Sequence, residues 1–287
     1  MVAFPALLAF ICLSSCGKHN DNGTAVSGIG ADGGTIGPSN IWLSSAKSVD
    51  DQDTTWIDVR FNSDHSVSKV ILLSEAPGLG DTSYSVAIPV YSGGRLTEVQ
   101  TTTDSTTSSG TPTTLFDYTS SGALLRIRYQ PGTNTYAYDS LVMGQGGLLA
   151  GSYHFVYDSV SGATVQLYSE NFTWDGQKDI SQILVTNIDT ANGAVSSITY
   201  TSTYDGYVNP YRTVKDLPFI VGSLDNVLPM LSADNVTSLQ LMGSSSQDAY
   251  IYQYNTNNLP TSQNFQFLFQ GALKQSSFVY FEYFAQN

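Results

Sequence analysis

Phe265-Gln-Phe-Leu-Phe269 and Phe278-Val-Tyr-Phe-Glu-Tyr283 decide the fold. In both, aromatic and β-branched residues recur at every second position, the period of an extended strand whose side chains face opposite sides in turn. The same period runs back through Tyr250-Ile-Tyr-Gln-Tyr254, Ile198-Thr-Tyr-Thr-Ser-Thr-Tyr204 and Tyr153-His-Phe-Val-Tyr157. Leu124-Leu-Arg-Ile-Arg-Tyr129 and Tyr84-Ser-Val-Ala-Ile-Pro-Val-Tyr91 extend it further. Clusters of Gly, Asn, Asp and Ser separate these runs, which predicts antiparallel hairpins. Parallel pairing would need crossover helices that the sequence does not offer. Both faces of Phe278 to Phe284 are apolar, so most of that strand is expected to be buried.

A degenerate repeat accompanies the hairpins. A strand ends in an aromatic, a short polar turn follows, and an apolar residue opens the next strand. Phe61-Asn-Ser-Asp-His-Ser-Val67, Tyr91-Ser-Gly-Gly-Arg-Leu96 and Tyr118-Thr-Ser-Ser-Gly-Ala-Leu124 are instances, as are Tyr157-Asp-Ser-Val-Ser-Gly162 and Tyr254-Asn-Thr-Asn-Asn-Leu259. Gly and Asn accept the positive φ of such turns, and Asp and Ser bond their own backbone. The aromatic packs across the strand pair and fixes its register. Each unit buries one face only, so several must associate edge to edge.

One segment breaks the period. Leu217-Pro-Phe-Ile-Val-Gly-Ser-Leu-Asp-Asn-Val-Leu-Pro-Met-Leu231 places apolar residues at helical spacing. Pro218 suits a first turn and Pro229 ends or kinks a helix. The expectation is a short helical cover near 211–232, over an end or open face of the sheet. It serves either as a lid on a cavity or as a plug for an apolar face.

The repeat resembles the YD-type repeats of bacterial surface proteins. Tyr204-Asp-Gly-Tyr-Val-Asn-Pro-Tyr211, Asp234-Asn235 and Tyr252-Gln-Tyr-Asn-Thr-Asn-Asn-Leu-Pro260 together resemble a family of Bacteroidetes lipoproteins with a porin-like, barrel-type β fold. The resemblance covers roughly Trp56 onward, with one Asn at Ala233-Asp234-Asn235 where the family shows a pair. It implies a fold and an envelope compartment, and lends no activity.

Met1 to Leu13 reads MVAFPALLAFICL, an apolar run too short to span a membrane, and Leu13, Ser14, Ser15 and Cys16 follow the order of a lipobox. We therefore expect a signal peptide over 1–15, a lipidated Cys16 with a Gly/Asn/Ser/Asp-rich flexible tether over 16–39, and one all-β domain over 40–287. The run lacks the Lys or Arg with which export signals begin. The alternative is cleavage near Ser15 that leaves Cys16 as a free thiol.

Subtraction narrows the chemistry. Cys12 and Cys16 are the only cysteines, so the domain holds no disulfide, thiolate nucleophile or Cys-based metal site. The histidines are His19, His65 and His154, too few beyond the tether for a three-histidine zinc site. Asp50-Asp51-Gln52-Asp53 lacks the spacing of a calcium loop and reads as a solvated acidic turn. A formal charge of -13 with no basic stripe argues against nucleic acid and against anionic lipid. Glu75, Glu98, Glu170 and Glu282 are the glutamates. Period two puts Tyr168, Glu170, Phe172 and Trp174 on one face, where a carboxylate among aromatics could grip a sugar. Glu282, between Tyr280 and Phe284, looks similar. Solvated or edge charges are the preferred reading of both.

The sequence thus predicts an all-β protein: a large twisted antiparallel sheet of repeated hairpins, curled into a barrel or half-barrel. Its expected role is an exported outer-membrane lipoprotein, on either side of that membrane, held through its N-terminal lipid. It would bind a glycan, lipid or protein on a sheet face or in a cavity, without catalysis, cofactor or metal. A structural or adhesive surface module is the alternative, and a glycoside hydrolase a further one. A transmembrane barrel is disfavoured because many strands carry Ser, Thr and Gln on both faces.

Overall fold

The computed structural model describes residues 40–50, 53–76, 81–130, 135–222 and 230–285. Residues 1–15, the lipobox Leu13 to Cys16 and the tether 16–39 lie outside the described residues. Strands β1 Ile41–Val49, β2 Thr54–Phe61, β3 Val67–Ala76, β4 Asp81–Ser92, β5 Arg95–Thr102 and β6 Thr111–Tyr118 come first. Then follow β7 Leu124–Tyr129, β8 Thr135–Met143, β9 Leu149–Asp158, β10 Thr164–Trp174 and β11 Ile180–Ile188. The last are β12 Val195–Val208, β13 Asp234–Leu241, β14 Ser246–Tyr254, β15 Pro260–Phe269 and β16 Ala272–Ala285. Each pairs antiparallel with its sequence neighbours, and β1 pairs with β16, closing a barrel of these sixteen described strands. Closure leaves no free sheet edge.

Alternating direction sends the turns after even-numbered strands to one end of the barrel. There three of the five predicted repeat turns take one specific form, while Tyr254 faces Pro260 rather than Leu259, and Tyr157 faces Thr164 at the opposite end of the barrel. The register shifts immediately before the aromatic that ends the strand, and the aromatic then sits opposite the apolar residue that opens the next. Phe61 faces Val67, Tyr91 faces Leu96, and Tyr118 faces Leu124. Trp174 with Ile180, and Met143 in an aromatic's place with Leu149, repeat the arrangement at turns that show no obvious repeat in sequence. The opening residues are buried, and the aromatics pack on the same core. At the Tyr118 turn, Gly122 has a φ of +91°, and a β-carbon there would strike the Arg95 guanidinium.

Polar atoms of the same rings lace successive hairpins together. Tyr118 Oη donates to Leu96 O, Trp174 Nε1 to Leu149 O, and Tyr204 Oη to Ile180 O, each at 2.7 Å. Tyr283 Oη does the same to Pro260 O at 2.7 Å. A carbonyl turned out of the ladder by a bulge needs such a partner.

The segment between β12 and β13 enters the barrel at this end. Asn209 accepts from Tyr211 N and donates its amide to Met230 O and Ser232 O, which clamps the two limbs of the insert together. A 3-10 turn at Pro210–Thr213 and helix α1 at Leu217–Val221 follow. Tyr211 and Leu217 are completely buried, and Phe219 meets Phe116 edge-on at 6.3 Å. Thr213 Oγ1 accepts from Leu43 N in the bulge of β1. The expected cover is therefore a plug: its apolar side chains join strand residues in one interior core.

Two expectations about side-chain placement fail. Phe278, Tyr280 and Phe284 are 44%, 50% and 46% exposed, because a closed barrel has one interior and this face of β16 points out of it. Glu170 is buried, because it shares the inward face of β10 with Phe172, a core residue. Glu282 does stand outside, accepting from Ser45 Oγ. Over β11 to β13 the outer face carries hydroxyl pairs, Thr186 with Ser197 and Thr203 with Thr237 and Ser238, whereas over β8 and β9 it carries the rings of Tyr136, Tyr138, Phe155 and Tyr157. Over β3 to β5, Lys69 holds Ser105 O and Thr107 O and so draws the 103–110 loop onto the outer wall. Asp50 closes the β1–β2 turn, its carboxylate accepting from Asp53 N.

Candidate functional site

Beyond the plug the lumen changes character. At the other end, the inward-facing Val165, Ile198 and Phe269, near the ends of their strands, are 42%, 37% and 41% exposed, so the mouth here is open to solvent. Between mouth and core, cross-strand register lines up a polar patch on the inner wall. Tyr168 lies opposite His154, His154 opposite Asp139, and Glu170 opposite Ser152.

Asp139 organises this patch. It is nearly completely buried, and its two oxygens are used separately. Tyr129 Oη donates to Oδ2 at 2.5 Å, and His154 Nδ1 lies 2.7 Å from Oδ1. Holding Nδ1 fixes the plane of the imidazole. One face of that ring stacks on Tyr168, centroids 4.6 Å apart and planes within 10°. Next to them, Ser152 Oγ approaches Glu170 Oε2 at 3.5 Å. The result is a flat aromatic surface flanked by two carboxylates.

Acidic groups continue around the wall. Asp248 on β14 has its carboxyl pushed up to about 6 by burial. The Tyr200 hydroxyl is raised by burial and then by the charges of Asp248 and Glu170, so both carboxylates address the same ring. A small apolar crevice beside them is bounded by Ile183, Ser202, Leu239 and Tyr250. Several of the described basic residues stand elsewhere. Lys47, Arg60 and Arg128 are on outward positions, Lys215 bonds Gly94 O at the plug end, and Arg212 is buried within the plug. The inner wall below the mouth is therefore lined by aromatic faces, hydroxyls and largely buried carboxylates, a lining that disfavours anions.

Among the sequence candidates, Tyr168, Glu170, Phe172 and Trp174 do share one face, and it is the inward one. Glu282 is remote from it, outside the barrel. Sequence reasoning missed Asp139, Tyr129 and the use of His154. Period two places each on a face of its own strand, but the register between three strands is what brings them together. His65 takes no part; it stacks on Trp42 at 4.5 Å.

A likeness of fold accompanies this geometry. A porin-like protein from Bacteroides uniformis ATCC 8492 superposes with a TM-score of 0.55 at 13% identity, over 87% of this chain and 99% of that one. A porin-like protein from Bacteroides vulgatus ATCC 8482 gives 0.44 at 8% identity, over 85% and 98%. No family model matches the chain, and no curated protein matches it.

Proposed function

We propose that the chain is an envelope-anchored, plugged β-barrel whose open lumen binds a neutral glycan without transforming it. The observation that carries this is the Tyr168–His154 stack held by Asp139 with Glu170 alongside. Sugars present apolar faces that lie flat on aromatic rings, and hydroxyls that donate to carboxylates. The closed half is filled by the protein's own side chains, which leaves a lipid little dry volume. The wet half supplies the polar groups that a sugar needs. Anchoring is supported by the apolar run before Leu13-Ser-Ser-Cys16, and an envelope setting by the likeness of fold to the porin-like protein from Bacteroides uniformis.

Binding is tested by calorimetry against neutral oligosaccharides, comparing the wild type with Tyr168→Ala and Asp139→Asn. Tyr168→Ala should weaken binding about tenfold or more, given roughly 1–3 kcal/mol for a stacking ring. The sugar should be recovered unchanged. Hydrolysis that Glu170→Gln abolishes would replace the binding reading, and equal affinity in all three proteins would remove the lumen site. Anchoring is tested by palmitate labelling, which Cys16→Ala should abolish.

A further inference from the structure

The outer surface of the barrel is not uniform. Around β10 to β13 it is built of hydroxyl pairs. Around β16, β1 and β2 it carries a strip of aromatics, crossed by one polar row in which Ser45 stands between Glu282 and Asp58; a second aromatic patch, Tyr136, Tyr138, Phe155 and Tyr157, stands on β8 and β9. Trp42 lies opposite Phe284 and 6.1 Å from it, Tyr280 opposite Lys47, and Lys47 opposite Trp56. Phe278, Tyr280 and Phe284 are each about half exposed, although no core needs them there. The ammonium of Lys47 lies 4.8 Å from the Trp56 ring centroid, and Arg60 on the same face of β2 pairs with Asp58.

We propose that this flank lies against the headgroup–acyl boundary of a neutral phospholipid bilayer. The inference rests on the anchored reading above. Its location supports it: the described chain enters β1 two residues before Trp42, so the segment leading from Cys16 arrives beside this flank. Residues 16–39 span roughly 80 Å when extended, long enough to let the domain turn any side toward the membrane. Of the two aromatic patches, the one on this flank stands beside the chain's entry and combines the partly buried Trp42 and Trp56 with the half-exposed Tyr280 and Phe284, and such rings settle at the membrane interface. Lys47 can extend its ammonium to the headgroups from there. The net charge of -13 sets the lipid class, because an anionic surface would repel the domain. The hydroxyl-paired walls of β11 to β13 keep the barrel from spanning, so contact is one-sided.

The tryptophans provide the test. Trp42 and Trp56 are on the flank, while Trp174 points inward and donates to Leu149 O. Full-length lipidated protein is bound to phosphatidylcholine vesicles brominated in the acyl chains, and its tryptophan emission is read after flotation. The wild type should float and lose the larger part of its emission, with Trp174 supplying the remainder. Tyr280→Ser combined with Phe284→Ser alters exposed side chains only; this variant should still float through its lipid but recover most of the emission. Flotation of the wild type without quenching would overturn the flank contact and leave anchoring intact. Failure of the wild type to float would overturn the anchor itself. A dimer in lipid-free detergent that the double variant dissolves would assign the flank to a second copy of the chain and overturn the membrane contact.

Discussion

Tyr118 and Leu96 belong to different hairpins, yet the Tyr118 hydroxyl donates to the Leu96 carbonyl at 2.7 Å. Leu96 is itself buried opposite Tyr91. Each such bond makes one hairpin's closing aromatic the partner of the previous hairpin's exposed carbonyl, so neighbouring bulges stabilise one another. The burial that accompanies this raises the Tyr118 and Tyr204 hydroxyls well above their ordinary range.

Tyr118→Phe and Tyr204→Phe should each lower stability by about 1–2 kcal/mol, because the ring still packs but a carbonyl loses its donor. Urea unfolding checks this: the midpoint should fall with an unchanged slope. An effect below the error of the midpoint would remove the lacing from the account of stability.

The plug contains a tyrosine of the opposite kind. Tyr211 is fully buried, and its hydroxyl has no hydrogen-bond partner among the described residues. Burying an unpaired hydroxyl is costly, so Tyr211→Phe should be neutral or stabilising by up to about 1 kcal/mol. Leu217→Ala, which empties the same core, should cost about 2–5 kcal/mol. The same urea experiment distinguishes the two substitutions by sign.

These relationships explain which parts of the fold were legible. Alternation in Tyr250 to Tyr254 or Phe265 to Phe269 is local and marks strands directly. The repeat was legible too, since Phe61 and Val67, or Tyr118 and Leu124, are separated only by their turn. Closure was not, because the pairing of Trp42 with Phe284 joins the two ends of the barrel and no local signal encodes it. Nor does alternation say which face is inward. That is why the apolar outer face of β16 was expected to be buried and Glu170 to be solvated. The Asp139 site depended on register across β7, β8, β9 and β10, which turns and bulges set and which alternation within one strand does not reveal.

A buried acid pair secures the return of the plug to the wall. Asp179 accepts from Asp234 N at 2.5 Å, and both residues are buried. Burial, then the charge of Asp234, pushes the Asp179 carboxyl up to about 9. The folded state thus binds a proton that the unfolded chain releases near pH 4. The stabilisation is complete below that value and is lost as pH rises through about 9. Asp179→Asn keeps the acceptor for Asp234 N and carries no charge. Thermal midpoints should fall from pH 5 to pH 9 in the wild type and fall much less in Asp179→Asn. Parallel pH curves for the two proteins would contradict the shared-proton latch.

Asp248 gives the lumen a titration of its own at lower pH. Its carboxyl is raised to about 6 by burial, so the folded state holds that proton more tightly than the unfolded chain does. The corresponding stabilisation is present below about pH 4 and is lost as pH climbs through 6. Ionisation also strengthens the negative potential at Tyr200, on which the Glu170 charge acts as well. A neutral sugar that donates hydroxyls to the lumen carboxylates should therefore bind more tightly above pH 6 than below pH 5. Asp248→Asn should flatten that dependence while leaving the Asp179 transition near pH 9 in place. Calorimetry at pH 4.5 and 7.5 on both proteins measures this; pH-independent binding in the wild type would remove Asp248 from the recognition surface.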